Sequence, residues 1–357
     1  MRFELKRSYW EDIQLFRYRS DFRWYLLLVF LLLVLPIFIG DFYVSQFNVV
    51  FIYSIVSVGM MLLTGYTGQL SLGHVGFFAI GSYTSAILVS KGIPFLLALP
   101  AAGFLAAFVG LFVALPAVRL SGMYLAIMTM GFAIIIEEIL ARWESLTRGN
   151  MGMVVEPPSI GSFSFDSEFS FYYLALFILI LSLLAAKNIL RSPTGRAMIS
   201  IRDSEVASQA IGVNLMKYKA IAFALSAFFT GVAGSLSAHK LSFISPESFN
   251  FLESVKYLAM IIIGGLGSLH GAVLGTAFLL FLPGVIMVVK DFLPHAIANQ
   301  TGLEPMLMGL VIVLFILFEP MGIYGRWFKV KHYFEFFPLY KKDTFKKVKS
   351  YYKAEKH

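Results

Sequence analysis

The side chains able to do chemistry lie in three polar stretches between long apolar runs. The longest, residues 191–219, holds Arg196, Arg202, Asp203 and Glu205. The second, residues 65–76, carries Gln69, Ser71 and His74 among glycines, and the third, residues 264–271, carries Ser268 and His270. His74 and His270 are far apart in sequence and lack carboxylate or thiolate neighbours, so no metal site is expected. The chain has no cysteine, which removes disulfides, thiolate ligands and a cysteine nucleophile. It has no Gly-x-x-x-x-Gly-Lys-Ser/Thr phosphate loop, no Gly-x-Ser-x-Gly elbow and no His-Glu-x-x-His pair. The chemistry on offer is hydrogen bonding, charge pairing and docking. An enzyme is not expected, nor a cofactor of the chain's own.

The elements that position these groups are set by composition. Of 357 residues, 58% are hydrophobic and only 14% charged, with a mean hydropathy of +0.78. A soluble domain carries about 25% charged residues, so this is an integral membrane protein. Its apolar runs, at 24–40, 46–63, 77–89, 93–118, 120–141, 171–186, 220–238, 254–263, 272–289 and 304–324, must be helical. Lipid offers backbone groups no outside partner. The expected fold is all-α, a polytopic membrane protein with about ten transmembrane helices, some broken by glycine. The net charge of +8 does not point to nucleic acid. Lys and Arg gather at the two ends and in the central loop, which places those segments in the cytosol. The organisation is a basic segment 1–23, a membrane region 24–325 containing the cytosolic loop 191–219, and a basic tail 326–357. The polar first 23 residues exclude a cleavable signal peptide.

Within the loop, Pro193-Thr194-Gly195 signals a turn from which Arg196 begins a short helical piece. Asp203 is placed as the N-cap of a second short helix starting at Ser204. Val206, Ala207, Ala210 and Ile211 fall on one face of that helix, and Gly212 suits its C′ position. Such a helix either lies on lipid headgroups or docks into a groove of a soluble partner. The two glycine breaks carry a similar choice. They line a cavity, as non-helical backbone at depth can, or they are tight turns between closely packed helices. Glu137 and Glu138 lie near the outer end of their span beside Arg142 and read as a solvated surface pair. Few acids fall mid-span, which argues against coupling to protons or sodium. Active transport would then need an external motor and a surface on which to seat it.

Four segments resemble the membrane-spanning permease subunits of ABC importers for branched-chain amino acids, the LivM type. They are GYTGQLSLGHVGFFAIGSYTSA (65–86), SPTGRAMISIRDSEVASQAIGVNLMKYKAIAFALSAFFTGVAGSL (192–236), ISPESFNFLESVKYLAMIIIGGLGSLHGAVLG (244–275) and FEPMGIYGR (318–326). The resemblance implies a helical permease of the bacterial inner membrane, paired with a second permease of LivH type. Two cytosolic ATPases would consume ATP to drive it, and an external binding protein would deliver substrate. It also implies ATPase contact for Gly195, Arg196, Arg202, Asp203, Glu205 and Gly212. Gln69, Ser71, Gly73 and His74 would lie near the translocation pathway. Residues 148–153 read RGNMGM where the family has a Thr-Gly-Gly-rich turn, and the tail from Trp327 falls outside the match. Permeases for urea and short-chain amides share this subunit type. A secondary transporter or channel working alone is the rival from another class.

Overall fold

The computed structural model describes residues 19–161, 163–291, 303–319 and 321–336. Most of the basic N-terminal segment, the loop at 292–302 and the end of the tail from 337 lie outside the described residues. The described chain forms fourteen α-helices and four two-residue strands. They are α1 (Arg19–Phe38), α2 (Asp41–Met60), α3 (His74–Ser90), α4 (Phe95–Ala117), α5 (Met123–Arg142), α6 (Glu144–Thr147) and α7 (Glu168–Arg191). Then follow α8 (Pro193–Asp203), α9 (Glu205–Ala210), α10 (Leu215–Leu241), α11 (Phe251–Gly264), α12 (Leu269–Asp291), α13 (Leu303–Phe318) and α14 (Gly322–Phe336). Strands β1 (Met153–Val154) and β4 (Phe243–Ile244) pair antiparallel, as do β2 (Ser159–Ile160) and β3 (Phe163–Ser164).

Among the described residues six helices are long and apolar enough to cross a membrane: α2 with its extension to Gly65, then α4, α5, α7, α10 and α12. Helices α3, α11 and α13 have only 17, 14 and 16 residues, against about 20 for a full crossing. The apolar run expected to reach residue 324 instead stops at Phe318. The chain turns at Gly322, with φ of +66°, and restarts as α14, which carries Trp327 and the first part of the basic tail.

Helix α10 is the centre of the bundle, packed by α4, α3 and α2. Its buried face is made of small residues, including Ala222, Ser226, Ala227, Thr230, Gly231, Ala233, Gly234, Ser235 and Ala238. In lipid, helices associate through close packing rather than through exclusion of water, and small residues permit it. A Cβ on Gly81 of α3 would lie 2.1 Å from the Gly231 carbonyl oxygen, and one on Gly234 would lie 2.1 Å from that of Phe78. Ser82 completes the contact by donating to the Gly234 carbonyl at 2.9 Å. The outer faces of α1, α4 and α5 expose Leu26, Phe30, Phe104, Phe108, Phe112, Ile127 and Ile134, as lipid-facing helices do.

At the end of the bundle away from the central loop, Glu168 at the start of α7 pairs with Lys240 and accepts from Asn48 at 2.9 Å. His239 joins Ser85 to the Glu156 carbonyl, at 2.9 and 2.6 Å. Glu138 pairs with Arg142 one turn along α5, both exposed, as the sequence suggests. Glu253 pairs with Lys256 at 2.6 Å.

Replacing Gly81 by Val should drive a branched side chain into the backbone of α10. Overpacking on this scale costs about 3 kcal/mol. The expected result is a lower thermal midpoint in detergent and less folded protein in the membrane, whereas Phe108→Leu on the lipid face should leave both unchanged.

Candidate functional site

The three polar stretches gather at one end of the bundle, and Arg202 is where they meet. Helix α2 does not end cleanly. Its last turn widens into a π-helix over Met61–Gly65, and Thr64 and Thr67 cap the widened turn through the carbonyls of Gln69 and Leu62, at 3.0 and 2.9 Å. The Gly65 carbonyl is left pointing outward and accepts from Arg202 Nη1 at 3.2 Å. A guanidinium suits this position because the C-terminal end of a helix carries partial negative charge. The rest of the fork holds Asp203, with Nε and Nη2 at 3.1 and 3.0 Å from Oδ1. Glycine is required on both sides. A Cβ on Gly68, whose φ is +74°, would sit 3.2 Å from Arg202 Cγ, and one on Gly267, φ +86°, would sit 3.1 Å from Nη1. The two breaks also touch each other, with Gly267 N–H on Met61 Sδ at 3.2 Å.

From Gly68 the first break climbs into the bundle. His74 opens α3 with Nε2 2.6 Å from Ser226 Oγ. Ser226 lies eleven residues into α10, roughly 17 Å along its axis at 1.5 Å per residue. The break is therefore non-helical backbone at depth, and not a tight turn at the surface. Its amides, and one in the first turn of α3, are satisfied by hydroxyls of neighbouring helices and of the break itself. Thr129 of α5 accepts from Leu72 N at 3.0 Å, Ser71 from Gly73 N at 3.3 Å, and Ser254 of α11 from Val75 N at 3.0 Å. Ser71 Oγ also lies 3.1 Å from His74 Nδ1. Of the residues expected near a pathway, Ser71, Gly73 and His74 are thus fully engaged in this knot. Gln69 differs. It is buried, and both its amide nitrogen and oxygen lack a partner among the described residues.

The central loop folds as two short helices. Ser192 caps α8, accepting from Gly195 N, and Pro193 takes the first helical position, where its missing N–H costs nothing. Helix α8 thus starts three residues before Arg196. A Cβ on Gly195 would lie 2.4 Å from the Leu190 backbone, so Gly195 allows the sharp exit from α7. Asp203 does not cap α9. It ends α8, bound by Arg202, and Ser204 is the cap, accepting from Ala207 N at 3.2 Å. Gly212 closes α9 as expected. Its φ is +89°, its N–H reaches the Gln209 carbonyl at 3.0 Å, and Val213 N–H reaches Ser208 at 2.9 Å. This is the paired 6→1 and 5→2 bonding of a Schellman ending.

Helix α9 is amphipathic in the inverse sense to a core-packed helix. Its polar Ser208 is the buried residue, 2.6 Å from Ser200 Oγ of α8, while Val206, Ala207, Ala210 and Ile211 face outward. Val206 and Ile211 are 81% and 76% exposed. Glu205 reaches the other way, and its carboxylate is 2.7 Å from Lys219 Nζ, whose side chain is 3% exposed. Arg196 donates to the Arg191 carbonyl at 3.2 Å. Among the described residues no group of three His, Cys, Asp or Glu could hold a metal.

Residues 42–316 match the family described as the permease component of branched-chain amino acid transport systems. The chain belongs to this permease family. It is 34% identical over 297 residues to the high-affinity branched-chain amino acid transport system permease protein LivM of Escherichia coli, covering 76% of this chain and 67% of that one. The high-affinity branched-chain amino acid transport system permease protein LivH of Salmonella typhimurium is 27% identical over 296 residues, covering 77% of this chain and 91% of that protein. A probable LivM of Methanocaldococcus jannaschii is 24% identical over 314 residues. No solved structure matches the chain. In this permease the residues missed from sequence are Lys219, Thr129, Ser226 and Ser254. Each is an ordinary member of its own helix, and only the fold brings it to the loop or the break.

Replacing Arg202 by Ala should free the Gly65 carbonyl and open the gap between Gly68 and Gly267. A lost charged hydrogen bond is worth about 2 kcal/mol. Hydrogen exchange of the amides at 65–69 should accelerate accordingly, while those in the middle of α10 keep wild-type protection.

Proposed function

We propose that the chain is the LivM-type permease subunit of an ABC importer, moving branched-chain amino acids inward across the bacterial inner membrane. The motor is two cytosolic ATPases, the partner is a LivH-type permease, and an external binding protein supplies the cargo. The importer consists of about ten membrane helices in this subunit, some of them half-length, with both termini and the 191–219 loop in the cytosol.

The observation that carries the reading is the outward apolar face of α9. Val206 and Ile211 are bare on a short helix whose base is fixed by Ser208, Arg202 and Glu205. A helix built to lie in the bundle would turn that face inward. A helix built to enter a partner's groove presents it. Membership of a transport-permease family supports an ATPase as the partner, and the relatives' names support the cargo. Gly195 and Gly212 shape the two ends of the docking element, Arg196 lies on its flank, and Arg202, Asp203 and Glu205 set its angle. Gln69 is the pathway residue with hydrogen-bonding capacity to offer. The ATPases alternate between two states, and uptake requires that this subunit bind them with different affinity.

Replacing Val206 and Ile211 together by Asp should abolish seating of the ATPases. Two lost apolar anchors are worth about 3 kcal/mol, roughly 100-fold in association. Co-purification from detergent and ATP-driven uptake of labelled leucine in reconstituted vesicles provide the readouts, with labelled urea as the competing cargo. Undiminished ATPase co-purification in the double variant would sink the docking role of α9. Uptake of urea in place of leucine would correct the cargo alone.

A further inference from the structure

We infer that Lys219 is a positioning residue of the coupling machinery. Its buried ammonium, held by Glu205, locks the docking helix α9 to the central helix α10 so that the two move as one body. The inference rests on the importer reading above and assigns Lys219 and Glu205 a task inside the subunit, apart from the ATPase surface.

The connection from α9 to α10 is a poor mechanical link on its own. It runs through Gly212 in a left-handed conformation and through Val213 to Asn214, whose side chain caps α10 by accepting from Lys217 N at 3.0 Å. Helix α9 has six residues, too few to hold its shape or direction alone. Displacement at its apolar face would be absorbed as a hinge at 211–214. The Lys219–Glu205 bridge spans that hinge at 2.7 Å. Its two ends are unequal, and this is what makes it a lock. Glu205 is 46% exposed and Lys219 only 3%. An ammonium buried this far is unfavourable without its counter-charge. The lysine therefore holds the carboxylate through any movement of α9 that does not expose it to water. What α10 receives it passes on, because its small-residue face leaves α3 no slack at Gly81 and Gly234, and Ser226 of α10 holds His74 at the head of the first break.

The chain contains no cysteine, so Glu205→Cys introduces one thiol into it, and charge can be restored after folding. The complete complex with both permeases and the ATPases is reconstituted, and substrate moved per ATP hydrolysed is the measurement. Glu205→Cys should move about ten-fold less substrate per ATP hydrolysed, within the usual range of coupling energies. Modification with 2-sulfonatoethyl methanethiosulfonate, which returns a negative charge, should restore the ratio, while the trimethylammonium-ethyl reagent should not. Lys219→Met should show the same uncoupling, and in the Lys219→Met, Glu205→Cys double variant the sulfonate reagent should restore nothing. An unchanged ratio in Glu205→Cys, or equal recovery with both reagents, overturns the lock. Loss of ATPase association in Glu205→Cys also overturns it, by making Glu205 a direct contact. A wild-type complex that shows no ATP-driven uptake refutes the importer reading itself, before any variant is compared.

Discussion

Everything in this subunit is arranged around one requirement. Backbone that is not helical, buried where no water reaches, must find its hydrogen bonds inside the protein. The break at residues 66–73 and the first turn of α3 place several amides at that depth. Thr129, Ser71 and Ser254 answer them one by one. Two of those hydroxyls come from α5 and α11, so the break and the first turn of α3 tie these helices together. The glycines that let the chain break and the hydroxyls that satisfy it are two halves of one device.

At its outer end the same break presents the Gly65 carbonyl, and Arg202 is its partner. This joins the polar loop to the broken helix end by more than proximity. The loop touches the bundle through a guanidinium on a helix terminus and an ion pair to α10, and a hydroxyl pair between α8 and α9 holds its two helices together. The side of α9 that remains is apolar and bare. A segment held this firmly from behind and left unsatisfied in front has the form of a handle.

How much of this was legible in the sequence differs from residue to residue, for physical reasons. Gly212 was legible because a helix ending is decided by a few adjacent residues. The cap of α9 was misassigned by one position. Asp203 and Ser204 are both good caps, and the choice fell to a distant fact, the engagement of Asp203 by Arg202. The apolar stripe of α9 was visible, but periodicity gives a face and not the direction in which it points. The count of about ten spans came from apolar runs, and hydropathy does not separate a half-length helix such as α11 from a full crossing. The sequence of the first break fits both cavity lining and a surface turn, and its depth is set by the His74–Ser226 pair. Lys219 gave no signal. It is separated from Glu205 by 14 positions, and a lysine at the start of an apolar run is ordinarily an interfacial residue.

The bare face of α9 has a cost when the subunit stands alone. Val206 and Ile211 then meet water, and a water-facing apolar patch is what chaperones and quality-control proteases recognise in an incomplete assembly. If that face is the proposed docking surface, a copy made in excess of its ATPases carries its own mark of being unaccompanied. Under the docking role proposed above, the same surface would tie the abundance of this subunit to that of its ATPases.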